Sequence, residues 1–267
     1  DRVVIGTDDQ TNKRIMINLY KSITNEDKIL FTSRRSSELI KYASNSMLAM
    51  RIIFINEIAD LCEKIGANVT DIAKGIGLDK RIGPHFLEPG PGFGGSCFPK
   101  DARALIESGK KYDAPQTLLE SVILGNENRK KNISKKILNK LDKQTENQIG
   151  ILGVTFKAET DDMRESPSLI IIPDLQENGM NISVYDPEGE KEASKILKDV
   201  NWKKTAYEAA ENVDCLVILT DWEEFKNLDL DKIKNSMKRP LIYDFRNIFD
   251  PDMMTELGFE YFSIGRG

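Results

Sequence analysis

Apolar residues recur with a helical period in the first half of the chain. Over residues 36–65 they return every three or four positions, with Ser36 or Ser37 available to cap the start and Gly66 to end the helix. They lie all around this predicted helix rather than along a single stripe. We therefore expect the helix to pack on several sides, including against a second subunit.

Further helices are predicted over residues 69–76 and 100–112, on either side of a loop rich in glycine and proline. After Pro115 a second long helix is predicted to run to about Lys143. Its charged run NENRKK, residues 126–131, is typical of a solvent-exposed face. We interpret this helix as a solvated connector between two domains.

From residue 148 onward, short apolar segments alternate with helical ones. Strands are predicted at residues 149–154, 182–185, 215–220 and 241–245, and a helix at 168–177. This alternation indicates a parallel sheet with helices on its faces, in a Rossmann-like order. The turn between Gly150 and Gly153 does not follow the GxGxxG pattern, so a nucleotide-like ligand is expected here but NAD is not the first choice.

The beginning of the chain predicts a short buried strand at residues 2–6, with no strand before it to pair with. We therefore expect an α/β protein of three segments. Residues 1–30 are the C-terminal remnant of a further domain, residues 31–146 form an all-helical central domain with the connector helix, and residues 147–267 form a Rossmann-like domain.

Composition excludes several classes of protein. A net charge of −5 opposes general nucleic-acid binding, and no apolar run approaches the roughly 20 residues that span a bilayer. The cysteines, Cys62, Cys97 and Cys215, are three in number and lie far apart without zinc-site spacing. With no signal-like apolar segment at the start, these features favour the reducing cytoplasm and predict neither a disulfide nor a bound metal.

The loop GFGGSCFPKD, residues 92–101, contains the richest candidate chemistry. Its glycines let the backbone approach a ligand closely. Cys97 precedes a helix that Pro99 begins, where the helix dipole favours a thiolate. On this pattern alone, a packed cysteine in a glycine turn is the more common arrangement. Cys62 and Cys215 lie in apolar runs and are predicted to be buried.

The residues around Cys97 change that balance. Lys100 and Asp101 supply an anion-binding cation and a carboxylate able to activate water. Lys41 and Asn45 lie four residues apart on the first long helix, so their side chains share one face. Taken alone, that pair indicates a solvated stripe more than a site.

Four ordered motifs resemble those of the UDP-glucose/GDP-mannose dehydrogenase family. They are ELIKYASN at 38–45 leading to Asn56 and Glu57, FLEPGPGFGGSCFPKD at 86–101, GVTFK at 153–157 with DMRESP at 162–167, and YDFRN at 243–247. Together they span essentially the whole chain. The ending FPKD resembles the UDP-glucose branch more than the GDP-mannose or UDP-N-acetylmannosamine dehydrogenases.

The resemblance implies oxidation of the glucose C6 alcohol of UDP-glucose to a carboxylate, with two NAD used in succession. Cys97 would capture the aldehyde as a thiohemiacetal and leave a thioester that water hydrolyses. Asp101 would position or deprotonate that water. Lys41 and Asn45 would stabilise the oxyanion that each step develops.

The same resemblance implies a set of ligand contacts and partners. Residues implied to contact the UDP-sugar are Arg81, Phe86, Leu87, Gly92, Phe93, Gly94, Phe98, Lys100, Lys157 and Arg246, with Arg81 reaching the substrate of a neighbouring subunit. Arg164 and Lys100 would contact NAD, whose main site lies in another domain. The implied partner is a second copy of the chain, bound through the helix at 36–65.

The sequence departs from the family in one respect. The family places an NAD-binding domain, with a glycine fingerprint and a catalytic threonine and glutamate, ahead of these motifs. Because the chain lacks that region, we expect it to be inactive as a dehydrogenase, to bind UDP-sugar weakly and to dimerise. The alternatives are a dehydrogenase of another nucleotide sugar and a non-catalytic nucleotide-binding module in which the glycine loop merely packs.

Overall fold

The computed structural model describes residues 2–141 and 147–266. The first part has two short strands followed by a group of helices: β1 (Val3–Gly6), α1 (Gln10–Tyr20), a 3-10 turn (Glu26–Lys28), β2 (Ile29–Thr32), α2 (Arg34–Ile65), α3 (Val69–Gly77), α4 (Phe98–Lys111) and α5 (Thr117–Leu138). The second part alternates strands with helices: β3 (Gln148–Leu152), α6 (Ser168–Glu177), β4 (Asn181–Tyr185), α7 (Glu190–Ala193), β5 (Val200–Trp202), α8 (Ala206–Ala210), β6 (Cys215–Ile218), α9 (Glu223–Lys226), α10 (Leu230–Ser236), β7 (Leu241–Asp244), α11 (Pro251–Glu256) and β8 (Glu260–Ser263).

The long helix α2 begins earlier than predicted. Ser33, not Ser36 or Ser37, is the N-cap, and its Oγ accepts a hydrogen bond from the Ser36 backbone N–H at 3.2 Å. Gly66 ends the helix in a left-handed conformation, φ 72°, as predicted. The helix packs against α3, α4, α5 and β1, so it does pack on several sides.

The first strand differs from its prediction. β1 is half-buried rather than buried, and it pairs in parallel with β2, which follows it in the sequence. Between the two strands lies α1, whose residues are all outside the buried core. α1 was not predicted from the sequence.

The second part is built on one sheet of six parallel strands in the order β5-β4-β3-β6-β7-β8. Counted from β3, this is the order 3-2-1-4-5-6 of dinucleotide-binding folds, which confirms the Rossmann-like prediction. On β6, Cys215 and Val217 belong to one apolar cluster, while Leu216 and Ile218 belong to another. Side chains of a strand alternate in this way when both faces of the sheet are covered.

The helices and the sheet share an apolar core. Ile55 of α2 and Ile133 of α5 lie in the same buried cluster as Ile149 and Ile151 of β3, and α5 packs along α6. The connector helix α5 ends at Leu138, before the predicted end near Lys143. The predicted domain boundary at 146 falls outside the described residues. Within residues 2–141 and 147–266, no helix is both long and apolar enough to cross a lipid bilayer.

Candidate functional site

The carboxylate of Asp101, in the first turn of α4, is fully buried and accepts hydrogen bonds from three side chains. Lys41 Nζ and Asn45 Nδ2, both on α2, donate to Oδ2 at 2.7 and 2.6 Å. Lys100 donates to Oδ1. Lys41 and Asn45 therefore share one face of α2, as predicted. That face contacts α4 and is not only exposed to solvent.

These donors determine the charge state of Asp101. Burial on its own raises the pKa of the carboxyl, but hydrogen bonds from Lys100, Lys41 and Asn45 outweigh it and lower the pKa to about 2. The group is therefore a carboxylate at neutral pH. The same contact, above all the hydrogen bond to Asp101, raises the pKa of Lys100.

Cys97 is the exposed residue that caps α4, with Pro99 in the first turn of the helix. The Asp101 backbone N–H donates to the Cys97 carbonyl at 2.9 Å, which places the thiol and the carboxylate one helical turn apart. The Ser96 Oγ lies 3.6 Å from the Cys97 Sγ. Cys62 and Cys215 are buried, as predicted, and burial raises the pKa of the Cys215 thiol.

Three aromatic rings lie against one another beside this helix start. The Phe98 ring meets Phe86 and Phe93 edge-on, with centroids 6.1 and 6.0 Å apart. Phe93 and Leu87 are buried, whereas Phe86 is 40% exposed and has a left-handed backbone, φ 60°. Of the predicted sugar-binding residues in this loop, Leu87 and Phe93 are packed in the interior, whereas the ring of Phe86 is exposed.

Two glycines of the loop are required by close contacts. A Cβ on Gly92 would lie 2.8 Å from Asn126 Oδ1, and one on Gly94 would lie 2.4 Å from the Glu165 carbonyl oxygen. Side chains at these positions would force the loop away from its neighbours. Gly92 and Gly94 thus allow α5 and the second domain to approach the loop that carries Cys97.

Polar side chains whose role was not predicted from the sequence hold the loop from beneath. Gly90 donates its N–H to Asn56 Oδ1 at 2.8 Å and accepts from Arg129 Nε at 3.1 Å. Asn126 accepts from the Phe93 N–H at 2.8 Å and donates to its carbonyl at 3.0 Å. Gly90 and Phe93 are thus each hydrogen-bonded through both the backbone N–H and the backbone carbonyl.

The interpretation of NENRKK as a solvated connector face is therefore wrong for half of its residues. Asn126, Arg129 and Lys130 are 5%, 5% and 3% exposed. Their spacing, i, i+3 and i+4, places them on the helix face of the buried residues Val122 and Ile133. The sequence spacing alone could have shown that these residues share a face. Their hydrogen-bond partners Phe93, Gly90 and Glu165, which compensate for the burial of these polar groups, lie far away in the sequence.

The second domain contributes Arg246 and Lys157. Arg246 Nε donates to the Leu219 carbonyl at 2.8 Å and Nη2 to the Phe156 carbonyl at 3.1 Å; burial lowers the pKa of this guanidinium. A Cβ on Gly90 would lie 3.6 Å from Arg246 Nη1, so Arg246 faces the loop of the helical domain. Lys157 is exposed, with its Nζ 5.5 Å from the centre of the Phe156 ring.

The remaining predicted site residues are two arginines on exposed turns. Arg164 is 68% exposed and pairs with Asp162 at 2.7 Å, while its carbonyl accepts the Gly95 N–H at 2.7 Å. Arg164 is therefore next to the glycine loop. Arg81 is 89% exposed and pairs with Asp79 at 2.6 Å, apart from the cluster around Asp101.

The chain matches two sequence models of one family. They are described as the central domain and the UDP binding domain of the UDP-glucose/GDP-mannose dehydrogenase family, and they cover residues 35–128 and 150–251. The UDP-glucose 6-dehydrogenase of Rhizobium meliloti (strain 1021) is 48% identical over 100% of this chain and 62% of its own length. UDP-glucose 6-dehydrogenase TuaD of Bacillus subtilis (strain 168) is 43% identical over 100% of this chain and 58% of its own length.

Solved structures give the same result. A UDP-glucose dehydrogenase from the hyperthermophilic archaeon Pyrobaculum islandicum superposes with a TM-score of 0.84 at 30% identity, over 98% of this chain and 57% of that one. A UDP-D-ManNAc dehydrogenase from Pyrococcus horikoshii superposes with a TM-score of 0.79 at 27% identity, over 99% and 60%. The chain spans about three fifths of the length of these relatives. It belongs to the UDP-glucose/GDP-mannose dehydrogenase family and contains the central and UDP-binding domains of that family.

Proposed function

We propose that this chain carries the nucleophile and the nucleotide-sugar site of an NAD-dependent UDP-glucose 6-dehydrogenase. The observation that carries the proposal is the exposed thiol of Cys97 one helical turn before the buried Asp101, to which Lys41 and Asn45 donate at 2.7 and 2.6 Å. Relatives named UDP-glucose 6-dehydrogenase align along 99% or more of the chain and support this substrate.

The thiol chemistry proposed for Cys97 requires a thiolate, an oxyanion partner and water. The Cys97 sulfur adds to the C6 aldehyde, and the thiohemiacetal oxygen takes up the resulting negative charge or a proton. When NAD is bound, it would accept the hydride that leaves this carbon; with the oxygen's proton also lost, the sulfur is then bound as a thioester. Water then adds to the carbonyl carbon, the C–S bond breaks, and the carboxylate leaves as Cys97 regains its proton.

Lys41 and Asn45 are suited to stabilise the oxyanion because Asp101 orients both on one side of the helix start. A carboxylate whose pKa is about 2 is a weak base. We therefore assign Asp101 to holding these donors and a water molecule in place, rather than to deprotonating that water.

NAD is the hydride acceptor when it is bound, and few of the residues that the structure describes fit it. In dinucleotide folds an acidic residue after the second strand binds the ribose. Here the carboxylate of Asp186, at the end of β4, accepts backbone N–H groups of Val154 at 2.6 Å and Gly189 at 2.6 Å, so it is not free for a ribose. Arg164, exposed beside the Cys97 loop, suits a diphosphate. The main NAD site is assigned, by family resemblance, to a domain ahead of these two.

The UDP-sugar is proposed to bind between the glycine loop and the carboxyl end of the sheet. Arg246 and Lys157 follow β7 and β3, whose carboxyl ends meet at one edge in a parallel sheet. Both are cations suited to a diphosphate. Phe86, exposed in the glycine loop, offers a ring to the sugar or the base.

A homodimer through α2 completes the proposal. This helix exposes five large apolar side chains. The first four are seven or eight residues apart, and the last follows one helical turn later: Leu39, Met47, Phe54, Leu61 and Ile65. Large apolar side chains exposed along one face of a helix favour contact with another protein surface. Arg81, exposed on a turn, is proposed to reach the neighbouring subunit's substrate.

Alkylation of the native chain tests this function. We expect UDP-glucose to bind by calorimetry and to slow the modification of Cys97 by iodoacetamide, with GDP-mannose and UDP-N-acetylmannosamine less effective. The chain with UDP-glucose and NAD is expected to form no NADH. Protection by another nucleotide sugar alone would reassign the substrate. Binding without any protection of Cys97 would favour the non-catalytic nucleotide-binding module, and no binding would refute the proposal.

A further inference from the structure

Lys130 is the most deeply buried charged residue on the inner face of α5. It is 3% exposed, while its neighbours in sequence on the outer face, Glu127 and Lys131, are exposed. Its Nζ donates to the backbone carbonyl of Glu165 at 3.0 Å. A buried ammonium group costs stability unless it is paired, and a methionine would fill the same space without that cost.

The carbonyl that Lys130 binds lies against the glycine loop. Glu165 has a left-handed backbone, φ 54°, which turns its carbonyl oxygen to within 2.4 Å of where a Gly94 Cβ would stand. One residue earlier, Arg164 accepts the Gly95 N–H at 2.7 Å. The segment 164–165 of the second domain is thus clamped between α5 and the loop two residues before Cys97.

The charges around Lys130 come from three elements. Burial lowers its pKa, the carboxylates of Glu165 and Glu127 act in the opposite direction, and Arg103 of α4 lowers it further. Arg103 itself pairs with the Glu165 carboxylate at 2.8 Å. The backbone carbonyl of Glu165 is held by Lys130, whereas its side chain is held by a more exposed ion pair.

We propose that Lys130 is a positioning residue. By binding the Glu165 carbonyl, it fixes the second domain against Gly94 and so holds the glycine loop in the geometry that presents Cys97 and the loop's aromatic rings to a nucleotide sugar. This rests on the proposed function of the site. The residue acts through Glu165 and the loop and does not itself touch the ligand.

Two substitutions separate positioning from packing. Lys130→Met keeps an unbranched apolar stem but removes the terminal amino group and so the donor, and Lys130→Arg keeps a donor in a bulkier side chain. We expect Lys130→Met to weaken UDP-glucose binding about tenfold, because the binding-competent loop position then loses the hydrogen bond from the charged Lys130 to the Glu165 carbonyl. The protection of Cys97 from alkylation is expected to fall as well. Lys130→Arg is expected to retain more of both. A role in packing alone gives the reverse order, because methionine fits and arginine does not.

Lys131→Met, on the exposed face of the same helix, is the matched control and is expected to bind UDP-glucose like the unaltered chain. Thermal unfolding of each variant shows whether it is folded. Should Lys130→Met not fold, Lys130→Gln takes its place, because its amide nitrogen lies one bond short of the lysine Nζ, and it is expected to give the same loss of binding and protection. Gly94→Ala displaces the same Glu165 carbonyl from the loop side.

The double variant Lys130→Met, Gly94→Ala completes a cycle. If both changes act through one contact, the combined loss is smaller than the product of the separate losses. Independent, multiplicative losses would overturn the proposal, as would unchanged binding in Lys130→Met. Absence of UDP-glucose binding in the unaltered chain would instead refute the proposed function, which keeps the two failures distinct.

Discussion

Lys41 and Asn45 donate to the same oxygen of Asp101, Oδ2, at 2.7 and 2.6 Å, from positions one turn apart on α2. Asp101 has no exposed side-chain surface, whereas the Lys41 side chain is 58% exposed. The carboxylate therefore lies beneath the two donors and connects α2 to α4. Through this contact, the positions of the donors depend on the helix that Cys97 begins.

Replacing Asp101 by asparagine is expected to destabilise the chain. The amide keeps the shape but removes the charge that binds Lys41 and Lys100, at a cost of about 2 kcal/mol. Urea unfolding measures this difference. Glu107→Gln, which removes an exposed ion pair with Lys110 on the same helix, is the control and is expected to change stability far less. Equal effects of the two substitutions would contradict a buried, organising role for Asp101.

The low pKa of Asp101 predicts a stability change in acid. The folded-state pKa, about 2, lies below the ordinary value of 3.8, so the unfolded chain binds the proton more readily. The stabilising contribution is therefore complete above pH 3.8 and is lost as the pH falls toward 2. Melting temperatures of the unaltered chain and of Asp101→Asn should converge over that interval. A difference that stays constant with pH would rule out this origin.

Alanine substitutions at Gly153 and Gly179 distinguish the cost of backbone strain from the cost of steric overlap. Both have left-handed backbones, φ 83° and 82°, but a Cβ on Gly153 would lie 2.4 Å from the Thr220 Cβ while one on Gly179 would meet nothing within 4 Å. Gly179→Ala is expected to cost about 1 kcal/mol from the backbone alone, and Gly153→Ala about 1–3 kcal/mol more from overpacking. Denaturant unfolding tests the order. Equal losses would mean that the turn at Gly153 can move away from Thr220.

The exposed stripe on α2 predicts concentration-dependent association. Phe54 lies at its centre and is 49% exposed in the single chain. Phe54→Glu is expected to shift the chain from dimer to monomer in sedimentation analysis, because a charge would be desolvated at an apolar interface. Ile196→Glu, at a 54% exposed apolar residue of the second domain, is the control and should leave association unchanged. A monomeric unaltered chain at high concentration would contradict the proposed dimer.

Local sequence patterns were sufficient for much of the architecture. The helical period predicted α2 and its end at Gly66, and α6 has the predicted bounds, residues 168–177. The apolar runs predicted four inner strands of the sheet. Such patterns report which face of an element meets a core, and that information is contained in neighbouring residues.

The edges of the fold were less accessible from sequence. β5 and β8 are short and largely half-buried edge strands, so neither has a continuous apolar run. Weak burial leaves a weak pattern in the sequence.

The sequence by itself determined the family motifs, the helical and parallel-sheet halves, and the proximity of Cys97 to Asp101, since residues four apart at a helix start lie one turn apart. Only the tertiary structure decided that Lys41 and Asn45 share the Asp101 oxygen, and that Lys130 is buried against Glu165. The physical reason is distance along the chain. A polar side chain is tolerated in the interior only where a partner meets it, and these partners lie 35 to 60 residues away.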